Sequence, residues 1–185
     1  MCTGKGMNRL NALYAFVWFF ALWKWGDWRN WRNYYPTLLF FILGDFLYLY
    51  LLSDHYPMWR YNPQGFDEQV HLTNTHVTFS IMAVKYPATI LIFLYRFPKN
   101  RSLFKKILYI AGWVLLYTVN EIIDIKLNLI KYSNGWSLKW SIFFNTTMFT
   151  ILIVHHKRPV AAWILSILFI IFLWNQFNVP SSVFR

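Results

Sequence analysis

The sequence is short of charge, of acid and of cysteine. Only 14% of its 185 residues are Asp, Glu, Lys or Arg, where a soluble domain carries about a quarter. A single cysteine, Cys2, excludes a disulfide framework within the chain. Glycine and proline, at seven each, are too few for a collagen-like or low-complexity segment. Familiar enzyme signatures are missing as well. There is no P-loop, no Rossmann fingerprint, no G-x-S-x-G, no H-E-x-x-H and no C-x-x-C. These absences weigh against an enzyme. What the chain has in quantity is apolar surface: 57% of residues are hydrophobic and 22% aromatic. That excludes intrinsic disorder and points to an integral membrane protein.

A bilayer core takes about 20 mostly apolar residues in a helix. Six stretches approach that length: 10–23, 36–52, 76–97, 106–130, 138–154 and 159–177. They are continuously apolar rather than alternating, which favours helices over a barrel. The expected fold is therefore an all-α polytopic transmembrane bundle of six spans, forming a single domain over 1–185. In a variant, five spans are joined by an N-terminal interfacial helix, because the first stretch is short. That first stretch begins like a signal peptide, with Lys5 and Arg9. No small-residue cleavage site follows it, so it reads as retained.

Eighteen Lys and Arg against seven Asp and Glu give a net charge of +11. The basic residues sit beside spans rather than on one face of a soluble module. They therefore read as topology signals that meet anionic lipid headgroups, and not as a nucleic-acid surface. Loops after the first, third and fifth spans hold ten Lys or Arg, and the opposite side holds seven. This bias puts the 98–105 loop in the cytoplasm and both termini outside, in a plasma membrane. Trp25, Trp28 and Trp31 recur every third residue, interleaved with Arg29 and Arg32. They are expected to anchor the interface. Trp136, Trp140 and Trp174 are expected to mark the outer interface, and Trp163 the inner one.

Charge in a membrane core costs several kcal/mol unless paired or hydrated. Each case therefore needs a reason. From the helical rise, Asp45, Lys85 and Asn145 fall about 14–18 Å from one end of their spans. Glu121 and Asp124 fall at about 24–28 Å, with His76 near the same level. Two polar layers are expected. In the inner one an Asp45–Lys85 ion pair either locks two helices or belongs to a proton or ion path. In the outer one Glu121 and Asp124, three residues apart on one helix face, are either wet near the headgroups or form a cation site. Glu68, His71 and His76 are the candidates for a metal, since Glu68 and His71 are spaced for one helical turn. His155 and His156 read as a polar helix end.

The stretches TFSIMAVKYPATILIFLYRFPKNRSLFKKILYIAGW and YTVNEIIDIKLNLIKYSNGWSLKWS carry a resemblance. They resemble an uncharacterised family of small multi-pass membrane proteins from spore-forming Gram-positive bacteria. The similarity is densest at Glu121, Asp124, Lys126, Ile130, Tyr132, Asn134 and Trp136. It implies a Gram-positive membrane location and no particular activity. Three functions remain open. The first is binding or transport of an ion or small molecule through a polar site of Asp45, Lys85, Glu121, Asp124, Asn145 and His76. The second is a structural or accessory subunit that meets another membrane protein or further copies of itself. The third is an intramembrane metalloenzyme.

Overall fold

The computed structural model describes residues 4–62 and 74–184, with side chains from 14 and from 76 onward in the two segments. Six helices dominate it: α1 (Gly4–Trp25), α2 (Trp31–Leu51), α3 (Asn74–Tyr95), α4 (Leu103–Lys126), α5 (Leu138–Lys157) and α6 (Pro159–Gln176). The protein is an all-α bundle. Four helices, α2, α3, α4 and α6, are long and apolar enough to cross a membrane. The other two are of similar length, 22 and 20 residues, but more polar. In α5 the polarity comes from Lys139, His155, His156 and Lys157 near its ends and from Asn145, Thr146, Thr147 and Thr150 within it. Thr146 and Thr150 return their hydroxyls to carbonyls one turn back, at 2.8 Å each. Their polar atoms are thereby satisfied within the helix.

Packing follows a simple plan. α1 and α2 both lie on α3, α5 packs on α2 and α4, and α6 packs on α5. α1 is thus a member of the bundle, with Trp18 and Leu22 in its core, rather than a separate short element. At the end where the basic loops gather, a dense aromatic core closes the bundle. Phe93 and Phe149 are fully buried there, with ring centroids 4.8 Å apart. Gly26 ends α1 because nothing larger fits: a Cβ there would lie 2.5 Å from the Leu22 carbonyl oxygen. Trp25, Trp28 and Trp31 flank this turn and are all exposed, as are Arg29 and Arg32.

The opposite end carries an element that the apolar runs do not announce. β1 (Trp59–Tyr61) pairs antiparallel with β2 (Ile130–Tyr132), Trp59 facing Tyr132. The expected span over 106–130 is therefore too long, because α4 stops at Lys126. Asn128 takes a left-handed φ of 56°. The Leu129 amide then bonds the Asp124 carbonyl at 2.8 Å, and the Asn128 amide bonds that of Ile125 at 2.9 Å. This Schellman turn satisfies the last carbonyls and launches β2. Asn178 repeats the device after α6, with φ 49°.

Under the sheet sits a second aromatic layer. Trp59 stacks on Tyr48 with centroids 3.9 Å apart and planes at 3°. The Tyr48 hydroxyl donates to the Trp59 carbonyl at 2.8 Å and accepts from the Met58 and Trp59 amides at 3.1 Å. Trp136 is buried here against Phe177. It is part of this plug and not the interfacial marker expected of it, because its indole N–H has a buried acceptor in Ser141.

Candidate functional site

Between the two aromatic layers the bundle is hollow. The cavity has a volume of about 940 Å³ and takes lining residues from all six helices and from the sheet. Asp45, Lys85, Glu121, Asp124 and Asn145 all line it. The two polar layers expected from helical rise are therefore one chamber. His76 stands apart at the exposed start of α3 and does not line it. Glu68 and His71 lie outside the described residues. Among the described residues no three His, Cys, Asp or Glu side chains come together as a metal-binding group.

The expected Asp45–Lys85 ion pair does not form. Asp45 instead accepts a hydrogen bond from the Tyr86 hydroxyl at 2.6 Å. α2 prepares this contact with residues one turn apart. Phe41 stacks on the Tyr86 ring at 4.0 Å, and Asp45 takes the hydroxyl beyond it. Lys85 is the next residue along α3, but adjacent helical residues point about 100° apart. Its ammonium turns toward α1 and α4. It stands 4.3 Å from the Tyr117 ring centroid, 5.7 Å from Tyr14 and 5.8 Å from Trp18. Three ring faces around one ammonium form an aromatic cage, and each favours a cation electrostatically. α3 also fixes the nearest wall: Thr89, one turn after Lys85, holds the Tyr117 hydroxyl at 2.6 Å. Asp124 lies within electrostatic reach of the same ammonium.

Glu121 and Asp124 share a face of α4 and meet different surroundings. One oxygen of Glu121 accepts hydrogen bonds from Tyr132 at 2.7 Å and Ser141 at 2.6 Å. Ser141 in turn accepts from the Trp136 indole at 2.9 Å. This network joins α4, β2, α5 and the plug. Burial above all, and the Glu121 carboxylate with it, push the Tyr132 hydroxyl well above the ordinary phenol range. It thus stays protonated and donating. Sequence reasoning did not find the two donors, although both lie within 20 residues of Glu121. Asp124 has no hydrogen-bond donor among the described residues. Its carboxylate faces the chamber, as does the Asn145 amide.

His155 is more than a polar helix end. It is buried, its Nδ1 lies 3.0 Å from the Thr37 hydroxyl, and its ring stacks on Phe40 at 4.2 Å. It joins α5 to α2 at the basic-loop end, below the chamber. Chemically, the chamber offers a large aromatic surface, one caged ammonium and one carboxylate with no donor among the described residues. Such a wall suits reversible recognition of a small charged molecule. Compared with known protein families, with curated proteins and with solved structures, the chain matches none.

Proposed function

We propose that this protein binds a small molecule or ion in the mid-bundle cavity and serves its transport or sequestration in the membrane. The observation that carries the reading is Asp124. It lines an apolar chamber with no donor among the described residues, which is costly unless something else engages it. The volume supports the same reading, since about 300–1,000 Å³ is the range of small-molecule sites. We place the sheet end outside and the basic-loop end in the cytoplasm, with both termini outside. The ten-to-seven distribution of Lys and Arg supports that orientation. A plasma membrane of a spore-forming Gram-positive bacterium is the proposed location, on the resemblance noted above.

Cysteine labelling tests whether the chamber is accessible. Ser166 lines it from α6. In a Cys2→Ser background, Ser166→Cys is expected to react with a small membrane-permeant maleimide in the folded protein. A cysteine at this position that reacts only after denaturation means a closed, dry interior and overturns the reading.

A further inference from the structure

The chamber's walls are unequal in charge: one ammonium, Lys85, against three carboxylates, Asp45, Glu121 and Asp124. Glu121 is satisfied by two hydroxyl donors and Asp45 by one. Asp124 remains, within electrostatic reach of the ammonium around which three rings cluster. An anionic ligand would add to the excess of acid in a poorly solvated space, whereas a cation offsets it. The aromatic faces discriminate in the same direction.

One seam beside the chamber is loosely closed. α2 and α6 are not among the packed helix pairs. Near the basic-loop end Phe40 and Trp163 close the seam between them, with ring centroids 4.8 Å apart. Beyond that pair, Leu43 and Leu47 of α2 and Ile170 of α6 line the cavity and keep exposed surface. Gly44 stands at the same seam, and a Cβ built there would meet nothing within 4 Å. The seam is edged by apolar residues on helices long enough to cross the bilayer. It therefore faces lipid.

Building on the proposed cavity-binding function, we infer that the ligand is a lipophilic organic cation, admitted from the bilayer between α2 and α6 and held by Asp124 and the Tyr14–Trp18–Tyr117 cage. Lys85 occupies that cage in the ligand-free protein as a tethered substitute. The ligand displaces it.

The test uses two ions of nearly equal shape and opposite charge, tetraphenylphosphonium and tetraphenylborate, in equilibrium binding to the purified full chain in mild detergent. Tetraphenylphosphonium is expected to bind saturably. Asp124→Asn weakens it by about tenfold, the effect of one lost charge-assisted contact. Lys85→Met, which removes the competing ammonium, strengthens it. Gly44→Leu, which has room to fold, slows or abolishes binding by filling the seam. Thermal melts of each variant separate lost binding from lost structure. Binding of tetraphenylborate alone, removed by Lys85→Met, overturns the cation assignment and keeps the cavity as a binding site. Binding of neither ion, with Ser166→Cys still reactive, also overturns the assignment and leaves the proposed function standing. Binding of neither, with an unreactive cysteine, removes both.

Discussion

Glu121 and Asp124 sit three residues apart on one face of α4, and the protein treats them as different kinds of group. Around Glu121 every neighbour is committed. Tyr132 and Ser141 donate to it, Trp136 donates to Ser141, and three separate segments are thereby tied to α4. Around Asp124 no donor is committed among the described residues: Lys85, the positive charge that acts on it, is held by rings. The same side-chain chemistry thus fastens the fold at one position and faces an empty chamber one turn away. Residue type and spacing alone do not separate a structural carboxylate from an available one. The count of donors around each does.

That contrast can be broken by mutation, and the expected effects fall in a clear order. Glu121→Ala strands two hydroxyls that lose a charged acceptor. Hydrogen bonds to charged groups are worth about 1.5–3 kcal/mol each, so the loss is about 4 kcal/mol. A thermal or denaturant melt in detergent reads it. Trp59→Ala strips the ring that roofs the chamber and stacks on Tyr48. It costs about 3 kcal/mol in the same melt, in the lower range for large core aromatics. Tyr48→Phe keeps that stack but deletes the hydroxyl that serves three backbone groups of the plug. It is expected to cost about 2 kcal/mol and to speed amide exchange at Met58 and Trp59. Lys85→Met exchanges a caged ammonium for an apolar chain of similar length. Its effect on stability stays within about 1 kcal/mol.

The helices were legible in the sequence because each is a continuous apolar run, and the runs lie within a few residues of the observed helices. The exceptions are the starts of α1 and α2, which lie six and five residues before the expected Leu10 and Pro36. Two features were not legible. The sheet uses three residues per strand, too few for an alternating pattern to register. The second is rotation about helix axes. Helical rise gave Asp45 and Lys85 a common depth and suggested a pair, but depth says nothing about direction. Tyr86, the neighbour of Lys85, faces Asp45, and Lys85 faces the opposite wall. The gathering of Asp45, Lys85, Glu121, Asp124 and Asn145 around one space is likewise a property of packing, since it draws on four helices at once.

The central claim, that Glu121 is structural and Asp124 available, is tested most directly by comparing the melting temperatures of Glu121→Ala and Asp124→Asn with that of the wild-type protein. Glu121→Ala is expected to melt at a much lower temperature. For Asp124→Asn, which loses no hydrogen bond among the described residues, a change under about 1 kcal/mol is expected. A strongly destabilised Asp124→Asn beside a near-normal Glu121→Ala would contradict the claim.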